Sequence, residues 1–386
     1  DVVEEIRRRL LEEPKHKGDF SKVQVCPTSG SDVVDEPEAK LVILSPAAPH
    51  SARADSSQAR QAAAEILNRG SAGRNCGNML VFLAADNARL GDLDKAVRAY
   101  LAWQSIEREK DPLNLTPFQV SQVEQRLQSS DQAVRGRIPE TFVWMLVPGQ
   151  KRPEPGQPFP QVEWQEFRLQ GQEWLAERAS KKLKNDGLLV TSMAGSILRF
   201  EIDQVPLWRG NHVGVKQLVD DFSKYPYLPR VKNAQVILDA IQDGVSRLTW
   251  AQDAFAYADY YDAPAGRYRG LEAGRRPTVQ LTPNSVVVQP EVAAEQMEND
   301  AAPPVTTPGG RAGDGAGTGS GTTGNGPPGI GGETGKGTGT GVEKPREPVL
   351  RRFHGSAKID ATRLSRDVDQ IASAVVQHLV GLLDAK

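Results

Sequence analysis

The residue whose type and position most invite chemistry is Asp86. It ends the continuous apolar run 78–85, NMLVFLAA, which predicts a strand buried on both faces, and a helical pattern begins directly after it. In α/β sheets that turn lies at the carboxyl end of a strand, where ligands bind, so the carboxylate can face a ligand or simply cap the helix. Asp32, Asp35 and Glu36 in the loop 29–39 are oxygen donors of the kind that hold metal ions. No rigid element fixes them, so a solvated loop is expected and no metal site is assigned. The glycine-rich GIGGETGKGTGTG invites comparison with a phosphate-binding loop, but Ile330 stands where that motif needs glycine and Gly337 where it needs Ser or Thr. With no strand before it to hold a nest of amides, it is set aside.

Two basic groups remain. Arg178, Lys181, Lys182 and Lys184 crowd a helix end, where cations suit the helix dipole whether or not they meet phosphate. Arg267, Arg269, Arg275 and Arg276 surround a hairpin turn at Gly266 and are the candidate phosphate contacts for nucleic acid. HExxH, CxxC, GxSxG and dinucleotide fingerprints are absent. No catalytic residue is therefore assigned, and autonomous catalysis is not expected.

Positioning these residues requires an α/β body. Strands are predicted at 22–26, 41–44, 78–85 and 142–147, with helices at 57–69, from Asp86 to about Lys110, and from Thr116 to about Ser130. This order suits a three-layer, parallel-type sheet with flanking helices over 1–150, ending before the proline-rich KRPEPGQPFP at 151–160. Residues 161–300 begin with the aromatic VEWQEF and a helix. They continue through strand-like pieces at 188–190 and 197–200, helices at 215–222 and 234–243 across the turn YPYLPR, and the hairpin DAPAGRYRGL, a pattern that predicts a winged-helix-like α+β module. Its second helix carries Asp239 and Asp243 and no Lys or Arg, which argues against base reading in a major groove. Residues 301–345 collapse to Gly, Thr, Pro and Ser and predict a disordered tether. Beyond it, 346–386 reads as a C-terminal strand and amphipathic helix, with Leu364, Val368, Ile371, Val375, Leu379 and Leu382 on one face.

Composition sets the wider limits. The 386 residues hold 47 Lys plus Arg against 49 Asp plus Glu, so no global basic field draws the chain to nucleic acid. Two cysteines, no apolar run of about 18 residues and no signal peptide point to a reducing cytoplasm and away from membranes. The charged helical opening DVVEEIRRRLLEE and the unpartnered last helix are expected of a piece of a longer polypeptide.

Several long phrases carry a resemblance: VQVCPTSGSDVVDEPEAKLVILSP, RNCGNMLVFLAADNARLGDLDKAVRAYLAW, FSKYPYLPRV with AIQDGV, FAYADYYDAPAGRYRGL, and RRFHGSAKIDATRLSRDVDQIASAVVQHL. Together they resemble the C-terminal half of large predicted AAA+ ATPases of unknown function, encoded beside DNA methyltransferases in phage-defence islands and similar to the ATPase components of phage-growth-limitation and BREX systems. The resemblance spans nearly all of the chain except the tether, and it implies a chain that forms the non-catalytic, post-P-loop portion of such an ATPase. It further implies ATP and Mg²⁺ as cofactors of the full-length protein, and an N-terminal ATPase half, a DNA methyltransferase or other defence proteins, and DNA as partners, with a homo-oligomer as one assembly. Arg74, Asn78 and Asp86 fall in the best-matching block and, by resemblance, face nucleotide or a neighbouring subunit. The competing expectation is a protein-interaction adaptor or scaffold with no nucleotide role.

Overall fold

In the computed structural model, residues 2–301 are described apart from 53–56, 70–72, 155–157 and 159. They fall in one unit, Asp1–Thr307. Of the tether expected over 301–345, Ala301 closes the last described helix, and residues 302–345 and the strand–helix element at 346–386 lie outside the described residues.

Five strands form the central sheet in chain order: β1 (Lys22–Val25), β2 (Lys40–Ile43), β3 (Leu80–Ala85), β4 (Phe142–Gly149) and β5 (Glu163–Arg168). β1, β2 and β3 are parallel, whereas β4 and β5 run antiparallel to their neighbours, so the sheet is mixed and the parallel-type expectation holds for three strands only. The connections explain the change. A single helix, α2 (Gln58–Asn68), carries the chain back to the starting edge between β2 and β3, and the next strand is parallel. Between β3 and β4 the chain runs out along α3 (Asn87–Arg108) and returns along α4 (Pro117–Thr141), reaching the edge it left, so the next strand must run the other way. Thr116 opens α4 with a reciprocal cap shared with Gln119.

β3 is buried throughout, and alternate residues serve different layers. Val81, Leu83 and Ala85 pack with α1 (Val2–Leu10), α3, α4 and α5 (Leu175–Asn185), while Leu80, Phe82 and Ala84 pack with α2. Because β5 and α5 belong to this body, residues 161–189 extend the sheet domain, and the expectation that the sheet closes before the proline-rich segment is corrected.

Residues 190–301 form the second body. Its elements are α6 (Gly195–Gln204), β6 (His212–Gly214), α7 (Val215–Lys224), α8 (Ala234–Ser246), the single turn α9 (Trp250–Asp253), β7 (Ala256–Ala258), the hairpin β8 (Tyr260–Asp262) with β9 (Arg267–Arg269), β10 (Val286–Val288) and α10 (Pro290–Ala301). β10 lies between β6 and β7, antiparallel to both. Residues 197–200, expected as strand-like, are helical. α6 crosses α8 so closely that a Cβ on Gly195 would lie 2.2 Å from the Gly244 Cα, a contact only glycine permits.

The bodies share a polar clip. The buried Arg230 guanidinium donates to the carbonyls of Asn78, Leu188 and Pro148, and the Asn78 amide donates to the carbonyls of Phe222 and Leu228 at 2.9 and 3.2 Å. Burial pushes Arg230 down to about 10, still charged at neutral pH. Met79, from the sheet side, packs into the core of the second body beside this clip.

Two stability predictions follow from these contacts. Leu83→Ala should cost about 2–5 kcal/mol by transfer and cavity terms. Arg230→Lys should cost at least about 2 kcal/mol, because an ammonium cannot serve three carbonyls in the guanidinium's planar directions. Urea unfolding of each variant measures both, and an Arg230→Lys protein as stable as the parent would refute the clip.

A pH dependence arises at Glu13. Its carboxylate accepts the Leu175 N–H at 2.9 Å and so caps α5 from another segment, since Trp174 offers no side-chain cap. Burial pushes this carboxyl up to about 7. A raised carboxyl pKa gives stability that is full below the unfolded value near 4.3 and is lost as pH climbs through 7. Between pH 5 and 8 the parent should therefore lose about 1–3 kcal/mol relative to Glu13→Gln, whose amide oxygen keeps the cap. Parallel melting curves across that range would read the difference.

Candidate functional site

The first three strands end at one edge of the sheet, where β4 begins and β5 finishes. The chain leaving β2 reaches His50, whose backbone extends the sheet: its N–H donates to the Ala85 carbonyl at 2.8 Å, and its carbonyl accepts from Asn87 at 3.0 Å. Two helices start at this edge. Ser57 caps α2 by accepting the Arg60 N–H at 3.1 Å, and Asp86 caps α3 by accepting the Ala88 N–H at 3.0 Å.

The side chains between these caps form one cluster. The His50 ring is fully buried, with Nδ1 2.9 Å from the Ser57 hydroxyl and Nε2 3.3 Å from a Glu166 carboxylate oxygen. That second approach is close without being aligned as a hydrogen bond. Trp144 stands edge-on to the imidazole, with centroids 5.1 Å apart. Glu166 is also paired with Arg60. Arg168 lies over the Trp144 ring at 5.7 Å and points Nη2 at the second Asp86 oxygen, 3.5 Å away. The two oxygens of Asp86 thus serve different partners, one the helix and one Arg168.

Burial holds His50 below the ordinary histidine range, with Glu166 acting in the opposite sense. A neutral ring between these partners accepts a hydrogen bond from the Ser57 hydroxyl at Nδ1 and turns Nε2–H toward Glu166, the tautomer that these partners require. The order Glu166, His50, Ser57 is that of a carboxylate-oriented base beside a hydroxyl. Ser57, however, is buried and its oxygen is engaged as the cap, so the trio braces the edge. Reaching solvent is the half-exposed Arg168, beside the N-terminus of α3, where a cation and a helix start together favour anions such as phosphate or carboxylate.

The residues singled out from sequence fall in three places. Arg74 is buried and donates to the carbonyls of Ile66, Val33 and Gly30, far into the α2 layer, while Asn78 belongs to the clip at the opposite end of β3 from Asp86. Only Asp86 of the three stands at the carboxyl edge. Arg267 is paired with Asp300 at 2.8 Å, Arg269 with Asp262 at 2.9 Å and Arg275 with Glu272 at 3.3 Å, and Arg276 donates to the Gln242 side chain. Asp32 binds the amides of Thr28 and Ser29, Asp35 those of Asn75 and Cys76, and Glu36 pairs with Lys40 and Lys22. His50, Glu166 and Arg168 had no local sequence signal. His50 sits in a loop, and the other two lie on an edge strand more than a hundred positions away.

No helix among the described residues is long and apolar enough to cross a membrane. Comparison with protein-family models, curated proteins and solved structures yields no match.

The split duty of Asp86 can be tested by two substitutions. Asp86→Ala should cost about 1 kcal/mol through the lost cap, while Asp86→Asn, which keeps an acceptor oxygen, should stay within about 0.5 kcal/mol of the parent. Equal losses in chemical denaturation would show that the Arg168 contact, and not the cap, carries the stability.

Proposed function

We propose that the chain is the non-catalytic C-terminal portion of an AAA+ type ATPase that acts beside a DNA methyltransferase in phage defence. Its task is to pass motion from the α/β body to the second module, which remodels nucleic acid or a protein complex. The observation that supports this is the clip at Arg230, which joins the two bodies through buried hydrogen bonds. The family resemblance supplies the ATPase context. A winged-helix-like identity for residues 190–301 is supported by the order helix, strand, two helices and a single helical turn, strand, hairpin, strand and helix, with the last strand central in its sheet.

The chain's own residues do not fit Mg²⁺-bound ATP. No Walker lysine is present in the sequence, and among the described residues no three His, Cys, Asp or Glu side chains gather as a metal site would need. ATP and Mg²⁺ belong, in this proposal, to an upstream half. The sheet edge contributes Arg168 toward a nucleotide or a neighbouring subunit, with Asp86 holding it in place.

An adaptor without a nucleotide role is the second proposal, favoured by the hairpin: three of its four arginines already have carboxylate partners, which leaves little cation for duplex phosphates. Steady-state ATPase assays separate the two. The purified chain should turn over no ATP, and in a longer gene product bearing a P-loop, Arg168→Ala should lower the rate at least about tenfold with unchanged melting. An unchanged rate would favour the adaptor, and Mg²⁺-dependent turnover by the chain alone would overturn both.

A further inference from the structure

A cleft of about 460 Å³ opens beside the hairpin, lined by His212, Gly214, Tyr260, Tyr261, Pro283 and Asn284 among others. Its volume lies within the range of about 300–1,000 Å³ that small-molecule sites occupy. Its walls are aromatic and firmly set. Tyr261 packs on His212 at 5.2 Å and on Tyr268 at 4.9 Å, and the His212 Nδ1 lies 3.1 Å from the Tyr268 hydroxyl, so the rings brace one another. Tyr261 nevertheless remains 40% exposed, so a ring held by these contacts keeps surface open to a ligand, and the neighbouring Tyr260, also in the lining, is 46% exposed.

We infer that this cleft takes an unpaired nucleobase of single-stranded nucleic acid, stacked on the exposed ring of Tyr261. The chemistry of the lining selects the occupant. A ring face receives a flat π-system, and the Asn284 amide in the lining supplies both a donor and an acceptor for a base edge. None of the described residues lining the cleft is acidic, so a phosphodiester meets no carboxylate in the wall. Asp262, the carboxylate next to Tyr261 in sequence, is held by both Nε and Nη2 of Arg269. A proline-rich peptide also uses aromatic grooves, but it wants a predominantly apolar floor. Here the polar imidazole, amide and phenols outnumber Pro283 and Val286.

The inference deepens the nucleic-acid side of the function proposed above and explains how a module with paired arginines and an acidic second helix can still hold nucleic acid. It binds by stacking, without reading a duplex.

Fluorescence anisotropy on the full 386-residue chain tests it, with labelled oligo(dT) of about 12 nucleotides, a blunt duplex, and an unlabelled proline-rich peptide as competitor. Oligo(dT) should bind more tightly than the duplex. Tyr261→Ala should weaken it at least about fivefold and Tyr261→Phe should not, in keeping with the measured range for base–aromatic stacking. Tyr260→Ala, at the more exposed position, guards against a misfolded Tyr261 variant and should weaken oligo(dT) in the same sense. Unchanged affinity in both alanine variants, preference for duplex, no binding of oligo(dT), or its displacement by the peptide would each overturn the inference. ATP plays no part in this titration, so its failure leaves the Arg168 experiment standing, and failure of the Arg168 experiment leaves this one standing.

Discussion

A guanidinium enters a protein interior at tolerable cost only when its donors all find acceptors, and Arg230 meets that condition with carbonyls from three separate stretches of chain. Asn78 precedes β3, Pro148 lies near the end of β4, and Leu188 follows α5, so one side chain ties the entry of the central strand, the exit of its neighbour and the loop that leaves the sheet domain. Arg230 itself ends the turn between α7 and α8. Breaking the contact would strand three carbonyls and a charge together, and no water-filled alternative is open to a side chain 5% exposed. The arrangement of the second body on the first therefore depends on it.

How far this was legible in sequence depends on how local each cause is. Buried strands at 41–44 and 78–85 and the helices after Ser57 and Asp86 follow from apolar runs, periodicity and caps, all contained within a few residues. The turn of β4 against β3 could also have been read, because two helices between strands return the chain to the same edge. The length of α4 was hidden by Gly136 and Pro139, which resemble breakers, although Pro139 falls in the last turns of the helix and its ring is accommodated there. β5 was missed for a different reason: EWQEFR is an edge strand of half-exposed residues that lacks an apolar signature.

The site was less legible than the fold. Asp86 stands out because a strand points at it, whereas Glu166 acquires meaning only when β5 pairs beside β4 and brings its carboxylate to His50. Arg74 illustrates the converse. A conspicuous arginine in the best-matching block spends its donors on three carbonyls, and its burial, which lowers its pKa, leaves no face for a nucleotide. The hairpin arginines were found as a group, but sequence could not show that Asp300 and Asp262 lie opposite them.

β3 joins these observations. Its first residue follows the Asn78–Met79 clip and its last precedes Asp86, so a strand roughly 20 Å long separates the contact with the second body from the carboxyl edge. Every residue of that strand is buried and packed on both faces. A close-packed strand has little room for graded internal change, since interiors resist compression and side chains there occupy single rotamers. The clip and the edge where the two helices begin therefore lie at opposite ends of one close-packed strand, joined through its backbone and its two buried faces.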